Sequence, residues 1–234
     1  MKTGYFIAAA IAALLLASGC QKDQEGYIAA DLVNGQTFNF AIPRKAREVV
    51  FEYNSSVASG KLLSTPDSPV PIYGNLDGTT WRVTISASVI NAHPDCSRMF
   101  WARTRQEAHS SLLVEPELNK IDFGKGFSTW NVTDMHEMFA NCFELYSLDL
   151  SNFYTKNVTN MSSMFSNCQD LYSLDLSHFN MSRMTDRRSM CYLLSYRFRH
   201  CTITCSPTTQ WYLENGTGLN TSGATFTWVR PTSK

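Results

Sequence analysis

Tyr146, Asp149, Tyr172 and Asp175 are the residues whose type and spacing could do chemistry. Each tyrosine stands three places before an aspartate, and the second pair follows the first by 26 residues. Around them the chain reads Ser147-Leu148-Asp149-Leu150-Ser151, and again Ser173-Leu174-Asp175-Leu176-Ser177. Alternation with period two turns Leu148 and Leu150 inward and Ser147, Asp149 and Ser151 outward. Stacked copies would then show a tyrosine ladder and an aspartate ladder on one face, with Asp122 extending the acidic row. Aromatic side chains with polar neighbours suit protein or glycan binding. Like charges about 5 Å apart across paired strands repel, which favours a cation or a basic partner. Water and salt absorb most of that repulsion. The competing reading is structural: repeats copy surface residues, and an aspartate in such a motif bonds local backbone groups.

Other chemistry finds less support. The five histidines (His93, His109, His136, His178, His200) do not recur with the repeat or form H-E-x-x-H. Neither G-x-S-x-G nor a P-loop occurs. Apart from Cys20, the cysteines are Cys96, Cys142, Cys168, Cys191, Cys201 and Cys205, with no C-x-x-C pair and no zinc-like His spacing. Cys142 and Cys168 stand one repeat apart. They read as buried, inert thiols, with a disulfide between stacked turns as the alternative in an exported chain. No cofactor or metal is expected. A glycan hydrolase would need two carboxyls about 5 to 9 Å apart in a cleft, whereas an open sheet face offers only a ladder.

The elements that must position the ladder are written twice. Residues 131–153 and 157–179 share 16 of 23 positions, mainly Met, Phe, Cys and Leu. Leu148 and Leu150 mark a strand, and Met135, Met138 and Phe139, spaced i, i+3, i+4, predict one helical turn. One unit cannot bury that face alone, but stacked units can, each Leu, Met and Phe packing on its twin. Identity lapses at His136, Glu137, Phe143 and Glu144, which are expected mostly to face water. A damaged copy begins near Cys96, with Met99-Phe100 and then Leu118–Phe123, the charged segment between being an outer insertion. A decayed copy begins at Phe179, with Met184, Arg187 and Cys191 where Val, Met and Phe are expected. Its arginines (Arg183, Arg187, Arg188, Arg197, Arg199) read as a polar terminal cap, with a basic patch or a past frameshift as alternatives.

Asn131-Val132-Thr133, Met135, Met138-Phe139, Cys142, Leu145 and Leu148–Ser151, with their second-copy partners through Ser177, resemble the BspA-like family of leucine-rich-repeat surface proteins. The match is specific over residues 127–179 and weaker over 95–126 and 180–205. The resemblance implies a right-handed leucine-rich solenoid displayed at the cell surface, in a family associated with adhesion and binding to host or neighbouring-cell macromolecules. The expected fold is therefore an α/β repeat, a short leucine-rich-repeat solenoid with a parallel sheet, preceded by a small β-rich region.

Residues 1–20 read as a signal peptide, with Lys2, an apolar run from Phe6 to Leu16 and small residues after it. Leu16–Cys20 is similar to the lipobox of bacterial lipoproteins, which makes Cys20 the lipidation site. Ala17 departs from the commonest pattern, and with Gly19 would also suit ordinary cleavage. Polar Gln21–Glu25 resembles the export signal of surface lipoproteins in some Gram-negative bacteria. The expectation is a protein anchored by lipid at the outer membrane or cell surface. Residues 21–90 form a tether and β-rich region, with strands at Thr37–Pro43, Glu48–Tyr53 and Thr79–Ser86 and a loop from Ser64 to Gly78. Repeats occupy 91–205, best at 127–152 and 153–178. Residues 206–234 close the chain with a short helix, capped by Ser206 with Pro207 at its first position, and a strand at Ala224–Val229. Twenty basic and twenty acidic residues argue against nucleic acid. The expected activity is non-catalytic binding of surface proteins or glycans, with a glycan-processing enzyme or a structural subunit of a surface complex as alternatives.

Overall fold

Twelve strands and one helix make up the regular structure of the described part of the computed structural model. It describes residues 27–32, 36–40, 42–43, 45–53, 60–63, 72–85, 89–100, 118–192, 194, 200–215 and 225–231. The expected signal peptide with Cys20, the tether, the insertion over 101–117, and Arg197 and Arg199 lie outside these residues.

β1 (Tyr27–Leu32) and β2 (Gln36–Phe40) pair antiparallel. A five-stranded mixed sheet follows, built from β3 (Glu48–Tyr53), β4 (Lys61–Leu62), β5 (Ile72–Asp77), β6 (Thr80–Ile85) and β8 (Lys120–Asp122) in the order β4-β5-β6-β3-β8. As the alternation predicts, Val49 and Phe51 of β3 and Trp81, Val83 and Ile85 of β6 are buried. The loop expected over Ser64–Gly78 is wrong for 72–77, which form β5 and a hairpin with β6 through Gly78-Thr79. Gly74 misled the reading: a Cβ there would collide with the Trp81 ring, so the glycine admits a large neighbour instead of breaking the strand. Two small parallel sheets complete the array. β7 (Ile90–Asn91) joins β9 (Phe127–Ser128), and β10 (Ser173–Asp175), β11 (His200–Thr204) and β12 (Thr225–Val229) form a three-stranded sheet.

The expected α/β leucine-rich-repeat solenoid is overturned. The structure is mainly strand and turn in mixed sheets, and the one helix among the described residues, α1 (Pro207–Asn215), lies outside the repeats. Two features of the chain explain this. The leucine strands do not build one sheet: β8 joins β3, β10 joins β11, and residues 146–150 between them form no strand. The Met135–Phe139 segment is also no helical turn. The N–H groups of Met138, Ala140 and Cys142 bond back three residues, to Met135, Glu137 and Phe139. Those of Met135, Glu137, Phe139 and Asn141 bond forward to carbonyls of Asn160, Ser162, Met164 and Ser166 in the next copy, at 2.8–3.0 Å. An α-helix would instead send each N–H beyond its first turn to the carbonyl four residues back, and neither set does so. Glu137 and Asn141 adopt left-handed φ of 53° and 63°, and Ser163 and Asn167 repeat this at 55° and 61°, turning alternate peptides outward.

The duplicated segments thus lie as adjoining coils. Parallel bridges join Asp95, Asp134, Asn160 and Asp186 in succession. Phe100, Phe139 and Phe165 stack face to face, at 5.4 and 5.7 Å between centroids. Leu148, Leu150, Leu174 and Leu176 are buried, as are Met135, Met138, Met161 and Met164. One hydrophobic core runs from Ala46 to Leu213.

Candidate functional site

Polar columns on the coil stack decide which surface groups remain free for a partner. In the first, Asp95, Asp134, Asn160 and Asp186 each accept the N–H two residues on, at 2.8–3.0 Å. In the second, Thr133, Thr159 and Thr185 donate their hydroxyls to Pro94, Thr133 and Thr159 carbonyls at 3.0–3.1 Å. In the third, buried Thr129 and Thr155 staple neighbouring coils: each hydroxyl accepts an N–H, from Tyr154 at 2.6 Å or Asn180 at 2.8 Å. Each also donates to the carbonyl of that same residue. The asparagines and threonines of the repeat are therefore largely employed in backbone satisfaction.

The residues of the predicted face come from two successive copies. Tyr146 is 42% exposed and Tyr172 51%; each shares the parity of an inward leucine, Leu148 or Leu174, but residues 146–150 form no strand and Tyr172 precedes β10, so strict alternation does not govern either ring. Asp149 and Asp175 are exposed as well. They lie on the outer side of the same Leu segments, but no ring contact joins Tyr146 to Tyr172 among the described residues, so the expected tyrosine ladder is not a ring stack. Asp149 Oδ1 accepts from Ser151 N–H at 2.9 Å and Asp175 Oδ1 from Ser177 N–H at 2.8 Å. Asp122 does the same with Gly124 at 2.9 Å. Each of these exposed carboxylates spends one oxygen on its own turn.

The six described cysteines are buried thiols. Cys142 and Cys168 donate to the Phe100 and Phe139 carbonyls, both at 3.2 Å. Burial pushes the thiol pKa of Cys168 well up and that of Cys201 to about 12, so these groups stay protonated and unreactive at neutral pH. Among the described residues no group of three or more His, Cys, Asp or Glu is placed to hold a metal ion, and no helix is long and apolar enough to cross a membrane.

The arginines of the decayed copy face different tasks. Arg187 bonds the Tyr212 carbonyl of α1 at 3.2 Å and lies 5.1 Å from the Tyr212 ring centroid. Arg188 pairs with Asp186 at 2.6 Å. Thr209, on the helix capped by Ser206, donates to the Phe179 carbonyl at 3.4 Å. α1 therefore closes the end of the stack where the repeat fails.

Copy matching missed one feature. Trp130 is 56% exposed and stacks on Tyr154 of the next coil, 4.2 Å between centroids with 23° between planes. Lys156, not tryptophan, occupies the equivalent place one repeat later, so the pair leaves no periodic trace; an unrepeated Trp beside a repeat motif was the available signal.

No curated protein and no solved structure matches the chain. A family model described as "Mycoplasma protein of unknown function, DUF285" matches residues 95–217. That span holds the stacked coils and α1, and exceeds half of the 234 residues; the chain belongs to the DUF285 family.

Proposed function

We propose that this is a non-catalytic surface protein, held by a lipid on Cys20, whose stacked repeats bind proteins or glycans at the cell surface. The finer kinship, with BspA-like surface proteins, belongs to this proposal and rests on the residues shared by the two best copies. The observation that carries the binding reading is the pair of exposed rings, Tyr146 and Tyr172, at matching positions of successive copies beside a buried leucine core. Rigid aromatic groups with polar neighbours lose little entropy on contact and dominate binding energy at interfaces. The three outward aspartates favour binding over catalysis, since each is tied to its own turn. The lipid anchor and an outer-membrane or surface location rest on the Leu16–Cys20 motif and the polar residues after it.

A panel of surface glycans and matrix proteins tests the reading. A saturable partner is expected, with affinity reduced at least tenfold by Tyr146→Ala or Tyr172→Ala, a typical loss for a central aromatic contact of about 1.4 kcal/mol or more. Turnover of a polysaccharide would replace this reading with the enzyme. Metabolic labelling with a palmitate analogue tests the anchor: label is expected on the protein and absent in Cys20→Ala.

A further inference from the structure

We propose that the edge of the stack bearing Trp130 and Tyr154 binds an anionic glycan, one whose pyranose rings carry carboxylate or sulfate groups. This surface is distinct from the Tyr146/Tyr172 face, and its ligand class is narrower.

The aromatic pair supplies the first half of the argument. Among the described residues large apolar side chains are mostly buried, yet the Trp130 indole stands more than half exposed. Its near-parallel stack on Tyr154 joins two coils into one flat surface. Aromatic faces carry negative charge density, which attracts the polarised C–H bonds on the apolar face of a sugar ring. Coils rise by about 4.8 Å when joined by parallel backbone bonds, a step comparable with one sugar unit.

Charge supplies the second half. Residues 127–133, 153–159 and 179–185 form this edge in three successive coils and contain no Asp or Glu. They contain Lys156 and Arg183, both exposed. Arg183 is tied to the aromatic pair: its Nη1 reaches Asn157 Oδ1 at 3.4 Å, and Asn157 Nδ2 donates to the Trp130 carbonyl at 3.0 Å. Two cations beside an aromatic platform complement a sugar bearing negative charge. The Arg183 guanidinium can meet a carboxylate or sulfate with two parallel N–H bonds.

Calorimetric titration of the full-length protein with a hyaluronan hexasaccharide, a heparin hexasaccharide and neutral chitohexaose tests the proposal. At least one anionic probe should bind saturably and more weakly as salt rises, and chitohexaose at least tenfold less well. Hyaluronan binding assigns the subsite to carboxylate, and binding of heparin alone to sulfate. Trp130→Ala should weaken the anionic probe at least tenfold, as should Lys156→Glu with Arg183→Glu, while Tyr146→Ala leaves it unchanged. Trp130→Phe, which preserves the stack, should retain most of the affinity, and thermal melts check that each variant is folded. The proposal is overturned if neither anionic probe binds, if chitohexaose binds equally, or if folded Trp130→Ala binds like the parent.

Discussion

Asn160 donates its side-chain amide to Asp134 Oδ2 of the preceding coil at 3.1 Å. It stands between Asp134 and Asp186 in a column of bridged residues, and so separates two carboxylates with a neutral donor. Asn160→Asp would keep the acceptor for Ser162 N–H but stack like charges about 4.8 Å apart. A loss of about 1 to 2 kcal/mol is expected at pH 7, shrinking toward pH 4 as carboxylates protonate. Urea unfolding at both pH values checks this; an equal loss at each would show that charge is not the cause.

His136 adds a pH dependence to the same column. Its Nδ1 lies 3.1 Å from Asp134 Oδ1, and this hydrogen bond raises the imidazole pKa against the opposing effect of burial. For Asp134, burial pushes the pKa up, but bonds from His136 and Asn160 prevail and hold it low. A raised histidine pKa stabilises fully below the ordinary value of about 6.5, and that contribution disappears as pH rises through the folded value. The depressed Asp134 works above about pH 4 and fails as pH falls. Melting temperature should therefore decline on the alkaline side of about pH 6.5, and His136→Gln should flatten that decline. A slope unchanged in the variant would assign it elsewhere.

Thr129→Val and Thr155→Val preserve shape and remove the hydroxyls that staple adjacent coils. Each leaves the N–H of Tyr154 or Asn180 without its acceptor, at an expected loss of about 1 to 3 kcal/mol. Thr159→Val, at a less buried column, should lose less than about 1 kcal/mol. Denaturant midpoints in that order support the staple; equal midpoints for all three would dismiss it.

Phe139 is the middle ring of the face-to-face stack and is fully buried. Phe139→Ala is expected to lose about 3 to 5 kcal/mol, the range for a large aromatic core truncation. Phe139→Leu should lose less, because it retains more of the volume. Equilibrium unfolding of the two variants measures the difference.

Ser163 holds a left-handed φ of 55°, which L-residues adopt at a strain of about 1 kcal/mol or more. Ser163→Gly should be neutral or slightly stabilising, since relief of strain offsets the greater entropy of the unfolded chain. Ser163→Val should destabilise, because a β-branched side chain tolerates that backbone poorly. Thermal melts giving the reverse order would contradict the turn geometry.

The sequence by itself determined the repeat period and the inward set: Leu148, Leu174, Met135, Met161, Phe139 and Phe165 are conspicuous because each must meet its own copy. It also determined strands β3 and β6, through their alternation, and the start of α1, through Ser206 and Pro207. Tertiary structure alone decided the class of the coils. Spacing of i, i+3, i+4 buries Met135, Met138 and Phe139 equally well from a helical turn or from a run of tight turns. The choice depends on where alternate N–H groups go, and the carbonyls of the next coil take them. Pairing of Trp130 with Tyr154 was likewise undetermined, since these residues stand off the repeat spacing and only the stacking of coils brings their rings together.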